Sequence, residues 1–218
     1  MDTSQLRYEK RRLERKQSKS RTRFSPHRKL RVVKYVFYKE TLLDFREHCW
    51  TFAGAFAGIS LIGLLHSGLF SPLDNIFLIG SFGATAVLVF GVIHSPLAQP
   101  RNLLGGHIIS ALIGVSIRMF LPVDIWLMAA LAVSLSIVIM QITKTLHPPG
   151  GATSLIAVIG SEEISDLGYL YVFSPVLSGV VILFVIALVF NNATRHRRYP
   201  VNRDWYRPWF RRYSKARD

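Results

Sequence analysis

Between His48 and Asn191 the sequence is almost without charge. Those 144 residues hold three basic side chains, Arg101, Arg118 and Lys144, and five acidic ones, Asp74, Asp124, Glu162, Glu163 and Asp166. A water-soluble domain needs charges over its whole surface, so that class is excluded. The chain has one cysteine, Cys49, which excludes an internal disulfide framework and a cysteine-based metal cluster. His66, His94 and His107 do not stand four apart, the spacing that sets two ligands on one helix face. No metal site and no cofactor is therefore expected. No Gly-x-Ser-x-Gly elbow is present either, so hydrolysis lacks support and the chain is not expected to be an enzyme. Met1 to Arg23 is polar and basic and lacks the apolar core of a cleavable signal.

What is present lies in three blocks. Residues 1–47 carry 15 Lys/Arg against 6 Asp/Glu, and residues 192–218 carry 9 against 2, within a formal charge of +14. A basic excess confined to the two ends argues against a nucleic-acid binder. Residues 1–27 lack apolar periodicity and are expected to be a disordered cytoplasmic tail. Leu30, Val33, Phe37, Thr41 and Phe45 recur at three- and four-residue spacing, which predicts an amphipathic helix over 28–47, lying on the inner membrane surface. In the tail 192–218, Arg203-Asp-Trp-Tyr-Arg-Pro-Trp-Phe-Arg-Arg212 interleaves aromatics with arginine. It reads as a segment resting on anionic headgroups at about 1 kcal/mol per basic residue, with RNA binding the sharper alternative.

The middle block, 48–191, reads as a transmembrane domain. A spanning helix needs roughly 20 apolar residues, and six segments qualify: about 50–69, 73–93, 103–121, 123–141, 142–160 and 170–191. The fold class expected is therefore all-α, a polytopic membrane bundle. Segment two carries Gly80-Ser-Phe-Gly-Ala-Thr85 and segment five carries His147-Pro-Pro-Gly-Gly-Ala-Thr153. Glycine and proline there predict interrupted helices. Both basic ends should be cytoplasmic, which needs an even number of crossings. Six crossings put Arg101 and Lys144 inside. Four, with segments two and five re-entrant, put them outside, so the positive-inside rule favours six. A bacterial inner membrane is the expected location, an organellar one the alternative.

Gly83-Ala-Thr85 recurs as Gly151-Ala-Thr153, 68 residues on. The same offset carries segment three onto segment six and segment one largely onto segment four. Two three-segment repeats, about 50–121 and 123–191, would lie in opposite orientations because three crossings is odd. Inverted repeats with interrupted second segments point to a transport site; glycines that merely permit close helix packing are the plainer explanation. Half-helices starting near Ala84 and Ala152 would aim their amides and positive dipole ends at a small anion. The candidate binding residues are Ser81, Gly83, Ala84, Thr85, His147, Gly150, Gly151, Ala152 and Thr153. Arg101, Asn102 and Lys144 would form the vestibule. His147 suits two roles, donating to the anion or carrying a coupled proton, or else a helix-end bond to a backbone carbonyl. Arg118 is expected to snorkel to the interface.

Leu146-His-Pro-Pro-Gly-Gly-Ala-Thr153 resembles the signature of the HPP family of integral membrane proteins. Gly80-Ser-Phe-Gly-Ala-Thr-Ala86 and Ser95-Pro-Leu-Ala-Gln-Pro-Arg-Asn-Leu-Leu-Gly-Gly-His107 resemble its other characteristic stretches. Tyr199-Pro200 followed by Trp205 is similar to its closing motif, so the resemblance covers roughly residues 45–206. It implies a four-spanning membrane protein of transport function, with nitrite a substrate associated with some members. Re-entrant second and fifth segments would reconcile four spans with six segments. The expected function is transport of a small inorganic anion, nitrite a candidate, through a midplane site. A channel of the same architecture, an intramembrane enzyme using His147 and a scaffold acting through its tails are the alternatives. The partners expected are the bilayer, anionic headgroups, the anion and a second copy in a homodimer, with no nucleic acid.

Overall fold

A computed structural model describes residues 45–68, 72–194 and 196–201. The chain divides into two units after Phe45, and the second, Arg46–Asp218, holds the helical bundle. The tail 1–27, nearly all of the 28–47 helix and the arginine–aromatic run from Arg203 lie outside the described residues. Phe45, Arg46 and Glu47 belong to the first long helix rather than to a separate interfacial one.

The described residues are helical, with no strand among them. In chain order they form α1 (Phe45–His66), α2 (Pro72–Ala86), α3 (Pro100–Phe120), α4 (Ile125–Thr143), α5 (Pro148–Ile159), α6 (Glu162–Asp166) and α7 (Ser178–Phe190). Wide π-type turns at Val87–Gly91 and Val172–Leu177 extend α2 and precede α7. Four stretches, α1, α3, α4 and Val172–Phe190, are 19 to 22 residues long and apolar enough to cross a membrane. At about 1.5 Å per residue, they match a hydrocarbon layer of roughly 30 Å. Their exposed side chains include Phe52, Phe56, Trp126, Ile142, Phe173 and Val189, the outward apolar surface that lipid requires.

The directions of the two remaining segments follow from their contacts. Gly54 of α1 approaches Phe90, just past α2, and His66 approaches Phe82, so α2 runs antiparallel to α1. Along α5, His147 and Gly150 meet Gly106 of α3, and Ser154 and Ala157 meet Gly114. α5 thus runs parallel to α3.

The interruptions differ from expectation. α2 is unbroken from Pro72 to Ala86, so no helix begins near Ala84. Gly80 and Gly83 cost a helix only about 1 kcal/mol each against alanine, and an apolar surrounding penalises any backbone group left without a hydrogen bond. The disturbance comes later, at Val87–Gly91, where side chains satisfy two carbonyls: Thr51 Oγ1 donates to Phe90 O at 3.1 Å and Asn191 Nδ2 to Val89 O at 2.9 Å. Segment five is interrupted, but its helix starts at Pro148 rather than near Ala152. Lys144 adopts left-handed torsions (φ 56°) and ends α4; Pro148 and Pro149 then take the first helical positions, where a missing amide is harmless. The sixth segment breaks at Ser174 (φ −136°, ψ 123°), the extended conformation that a following proline imposes. The 68-residue offset carries α3 onto 168–188, near Val172–Phe190, but carries α1 onto 113–134, across the loop between α3 and α4. The expected match of segment one to segment four therefore narrows to residues 125–134.

α3 and α5 approach closely because glycine removes the side chains between them. A Cβ at Gly114 would stand 2.5 Å from Ser154 O and 2.8 Å from the Ala157 Cβ; one at Gly106 would stand 2.4 Å from the His147 Cβ. This is the small-residue packing typical of membrane helices.

The last described residues clasp one end of the bundle instead of trailing from it. Arg197, 6% exposed, is ion-paired to Glu47 and bonds Asn191 Oδ1 at 3.1 Å. Tyr199, 2% exposed, donates its hydroxyl to Ala98 O at 2.7 Å. The Val201 amide donates to Gln99 Oε1 at 2.9 Å.

Substitutions at two glycines should separate close packing from open space. Gly114→Ala should destabilise the detergent-solubilised protein by about 1–3 kcal/mol through overpacking. Gly83→Ala, with nothing within 4 Å of its added methyl, should leave thermal unfolding unchanged or slightly later. At the clasp, burial raises the Tyr199 phenol above its ordinary value of 10. Its contribution is thus complete below pH 10 and falls as pH rises through the raised value. Tyr199→Phe should cost about 1 kcal/mol at neutral pH and remove that alkaline loss, as read by thermal unfolding across a pH series.

Candidate functional site

The site forms where α2, α3 and the start of α5 meet. On α2, Ser81 and Thr85 stand one turn apart and share the inward face with Leu78 and Phe82, all buried. α3 contributes His107, and α5 contributes Thr153, with His147 as its N-cap residue. Ser81, Thr85, His107, His147 and Thr153 are each 0–3% exposed.

Every polar atom in this cluster is engaged. Thr85 Oγ1 lies 2.8 Å from His107 Nε2 and 3.2 Å from His147 Nε2. His107 Nδ1 is 2.7 Å from Thr153 Oγ1, so this one ring bridges Thr85 and Thr153. Ser81 Oγ lies 2.9 Å from Thr153 Oγ1 and donates to Pro149 O at 3.1 Å. His147 Nδ1 donates to Leu97 O at 2.8 Å. Tyr171 donates its hydroxyl to Thr153 O at 3.0 Å, fixing α5 from the other side. The imidazole centroids of His107 and His147 are 4.9 Å apart. Among the described residues, no three His, Cys, Asp or Glu side chains come together as a metal site.

Four of the nine candidate binding residues meet here: Ser81, Thr85, His147 and Thr153. The other five do not contribute polar groups. Ala84 is exposed and Gly83 faces open space; Gly151 and Ala152 are half-buried, with Gly151 turned toward Val133 of α4. Gly150 is buried, and its added Cβ would meet Ser110 Oγ at 2.8 Å and Gly106 O at 3.0 Å, so its role is to let α3 come close. The vestibule residues serve a local structural purpose. Arg101 Nη2 donates to Thr143 O at 2.8 Å, a carbonyl that the end of α4 leaves over, and Asn102 Nδ2 donates to Leu146 O at 2.7 Å in the turn that follows. Lys144 is exposed at that same helix end.

The backbone-amide pocket is not found. Pro148 and Pro149 have no N–H to offer, and the first amide of α5, Gly150, already donates to His147 O at 2.8 Å. The helix dipole still directs its positive end at His147, but the hydrogen-bonding capacity of the site comes from hydroxyls and imidazoles. The site also lies off the middle: His107 is seven residues into α3, about 10 Å from one end.

His107 is the residue that sequence reasoning missed. Its spacing to other histidines was the wrong test, because its partners are hydroxyls on other helices. A usable signal existed on its own helix, where Gly106, Ser110 and Gly114 recur every four residues and His107 adjoins the stripe. Such a stripe marks a helix face in tight contact, and a histidine beside it must find buried partners.

The comparisons with known proteins agree with this architecture. Residues 40–200 match the model of the HPP transmembrane region. Two transmembrane proteins of Dictyostelium discoideum are each 48% identical over 161 residues, covering 72% of this chain and 56% and 51% of theirs. The chain therefore spans about half the length of the curated relatives it matches. No solved structure matches it. With its family match spanning most of the chain and its long apolar helices, this is an integral membrane protein that belongs to the HPP transmembrane family.

Proposed function

We propose that the protein moves a small inorganic anion, nitrite being the first candidate, across the membrane by way of the cluster around Thr85. The observation that carries this reading is a set of two imidazoles and three hydroxyls buried between membrane helices, with no charged side chain among them. Polar groups are expensive inside a membrane domain and mark solute pathways there. Hydroxyls and imidazole N–H groups can donate to an anion, and the cluster has no carboxylate to repel it. Nitrite as substrate comes from the family resemblance. Transport suits the site better than chemistry on a bound substrate, because no orienting carboxylate stands behind either histidine.

The repeat forms part of this reading. Ser81 donates to Pro149, its own equivalent 68 positions on, and His107 joins Thr85 to Thr153, equivalents by the same offset. Direct contact between equivalent positions supports an inverted pair of segments crossing near a local two-fold axis. Both termini would face the cytoplasm, with the clasp and the Arg101–Thr143 end on that side, in a bacterial inner membrane or its organellar counterpart.

Protein reconstituted in liposomes should take up nitrite faster than empty vesicles. Thr85→Val and Thr153→Val keep side-chain shape but remove the hydroxyls, and each should reduce uptake by about tenfold or more, the scale of one or two lost hydrogen bonds to a charged group. Uptake unchanged in both variants would exclude the cluster as the pathway.

A further inference from the structure

The buried cluster can be counted hydrogen by hydrogen. It forms one line of contacts running from Leu97 O through His147, Thr85, His107, Thr153 and Ser81 to Pro149 O. Both ends are carbonyl oxygens, which only accept. The line has six contacts, and filling all of them at once takes six hydrogens. Three hydroxyls and two neutral imidazoles supply five. Alternative acceptors do not close the gap. Thr85 can turn to Ser81 O at 3.1 Å and Thr153 to Pro149 O at 3.4 Å, but either move takes a hydrogen out of the line. One more proton fills all six places.

That proton fits on either ring. With His107 doubly protonated, Nδ1 donates to Thr153 and Nε2 to Thr85, while Thr85 donates to His147 Nε2. With His147 doubly protonated, Nδ1 keeps its bond to Leu97 O, Nε2 donates to Thr85, and Thr85 donates to His107 Nε2. The two states differ by one relay step. The N–H bond at His107 Nε2 breaks as an O–H bond forms at Thr85, and the original Thr85 O–H breaks as an N–H forms at His147 Nε2. The positive charge passes from one ring to the other, and atoms and charge balance.

We propose that this line is a site for one excess proton, shared between His107 and His147 through Thr85, and that the proton travels with the anion. The coupling rests on the transport reading above; the proton count does not. An isolated buried cation is costly, and an anion beside it cancels the charge, so each favours the other's presence. The elements around the pair bring few competing groups. α2 presents Ser81, Phe82 and Thr85, α5 presents Thr153, and the turn before α3 presents Leu97 O. Thr145 and Met140 lie on the α4 side. His66 of α1 approaches the same Phe82 ring at 6.3 Å, and Tyr171 bonds the Thr153 carbonyl. His66 and Tyr171 are the other titratable groups among these residues, and none of the residues carries a fixed charge.

The test uses the full chain in phosphatidylcholine liposomes with a pH-sensitive dye inside, an inside-negative potassium diffusion potential, and nitrite outside. Rates are taken relative to empty vesicles. The proposal predicts that the lumen acidifies as nitrite enters, at about one proton per nitrite, the single vacancy in the line. Thr85→Ser, which keeps the relaying hydroxyl, should retain acidification, and His107→Gln, which cannot take the extra proton, should lower the protons carried per nitrite towards none. Nitrite uptake without acidification would overturn the proton site and leave the transport reading standing. Acidification that does not need nitrite would overturn the coupling, and movement of neither would overturn both readings. Should a variant fail to fold, the wild-type proton-to-nitrite ratio decides alone.

Discussion

Thr85 sets one hydroxyl between two buried imidazoles, and α2, α3, α5 and the turn at Leu97 meet around that contact. A polar group enclosed between membrane helices has no water to fall back on, so each donor must meet an acceptor within the protein. Ser81, Thr153, Leu97 O and Pro149 O supply those partners from three separate segments of the chain. The position of α2 against α5, and of the Leu97 turn against His147, are consequences of satisfying one small polar line.

Such a line can form only if the helices come close enough. Gly106, Gly114 and Gly150 give that proximity between α3 and α5, since a methyl at any of them would reach within 3.0 Å of a neighbouring atom. Pro148 and Pro149 start α5 beside His147 rather than four residues later. The clasp of Arg197 and Tyr199 onto Glu47 and Ala98 closes the same end of the bundle, so the segment after α7 holds the body together as well as continuing from it.

Much of this was legible in the sequence. The near-absence of charge over 48–191 identified a membrane domain, and apolar run length placed the helices within a few residues in most cases. The Leu146–Thr153 stretch resembles the family that the match over residues 40–200 shows, and Ser81, Thr85, His147 and Thr153, four of the nine expected binding residues, lie together in one buried cluster. The errors have physical causes. Glycines without proline at Gly80–Thr85 suggested a break, whereas a low-dielectric surrounding keeps such a stretch helical. The free amides expected near Ala152 lie inside α5, which starts four residues earlier at Pro148. His107 and the Tyr199 clasp were missed because their partners lie on other segments of the chain, a relation that periodicity along one helix does not carry.

The central claim is that one hydroxyl links both histidines. Nitrogen-15 NMR of histidine-labelled protein in lipid nanodiscs, with signals assigned through the His107→Gln and His147→Gln variants, tests it directly. The account predicts that Thr85→Val shifts the Nε2 resonances of His107 and His147 together and leaves that of exposed His94 in place. A substitution that moved only one of the two, or neither, would contradict it.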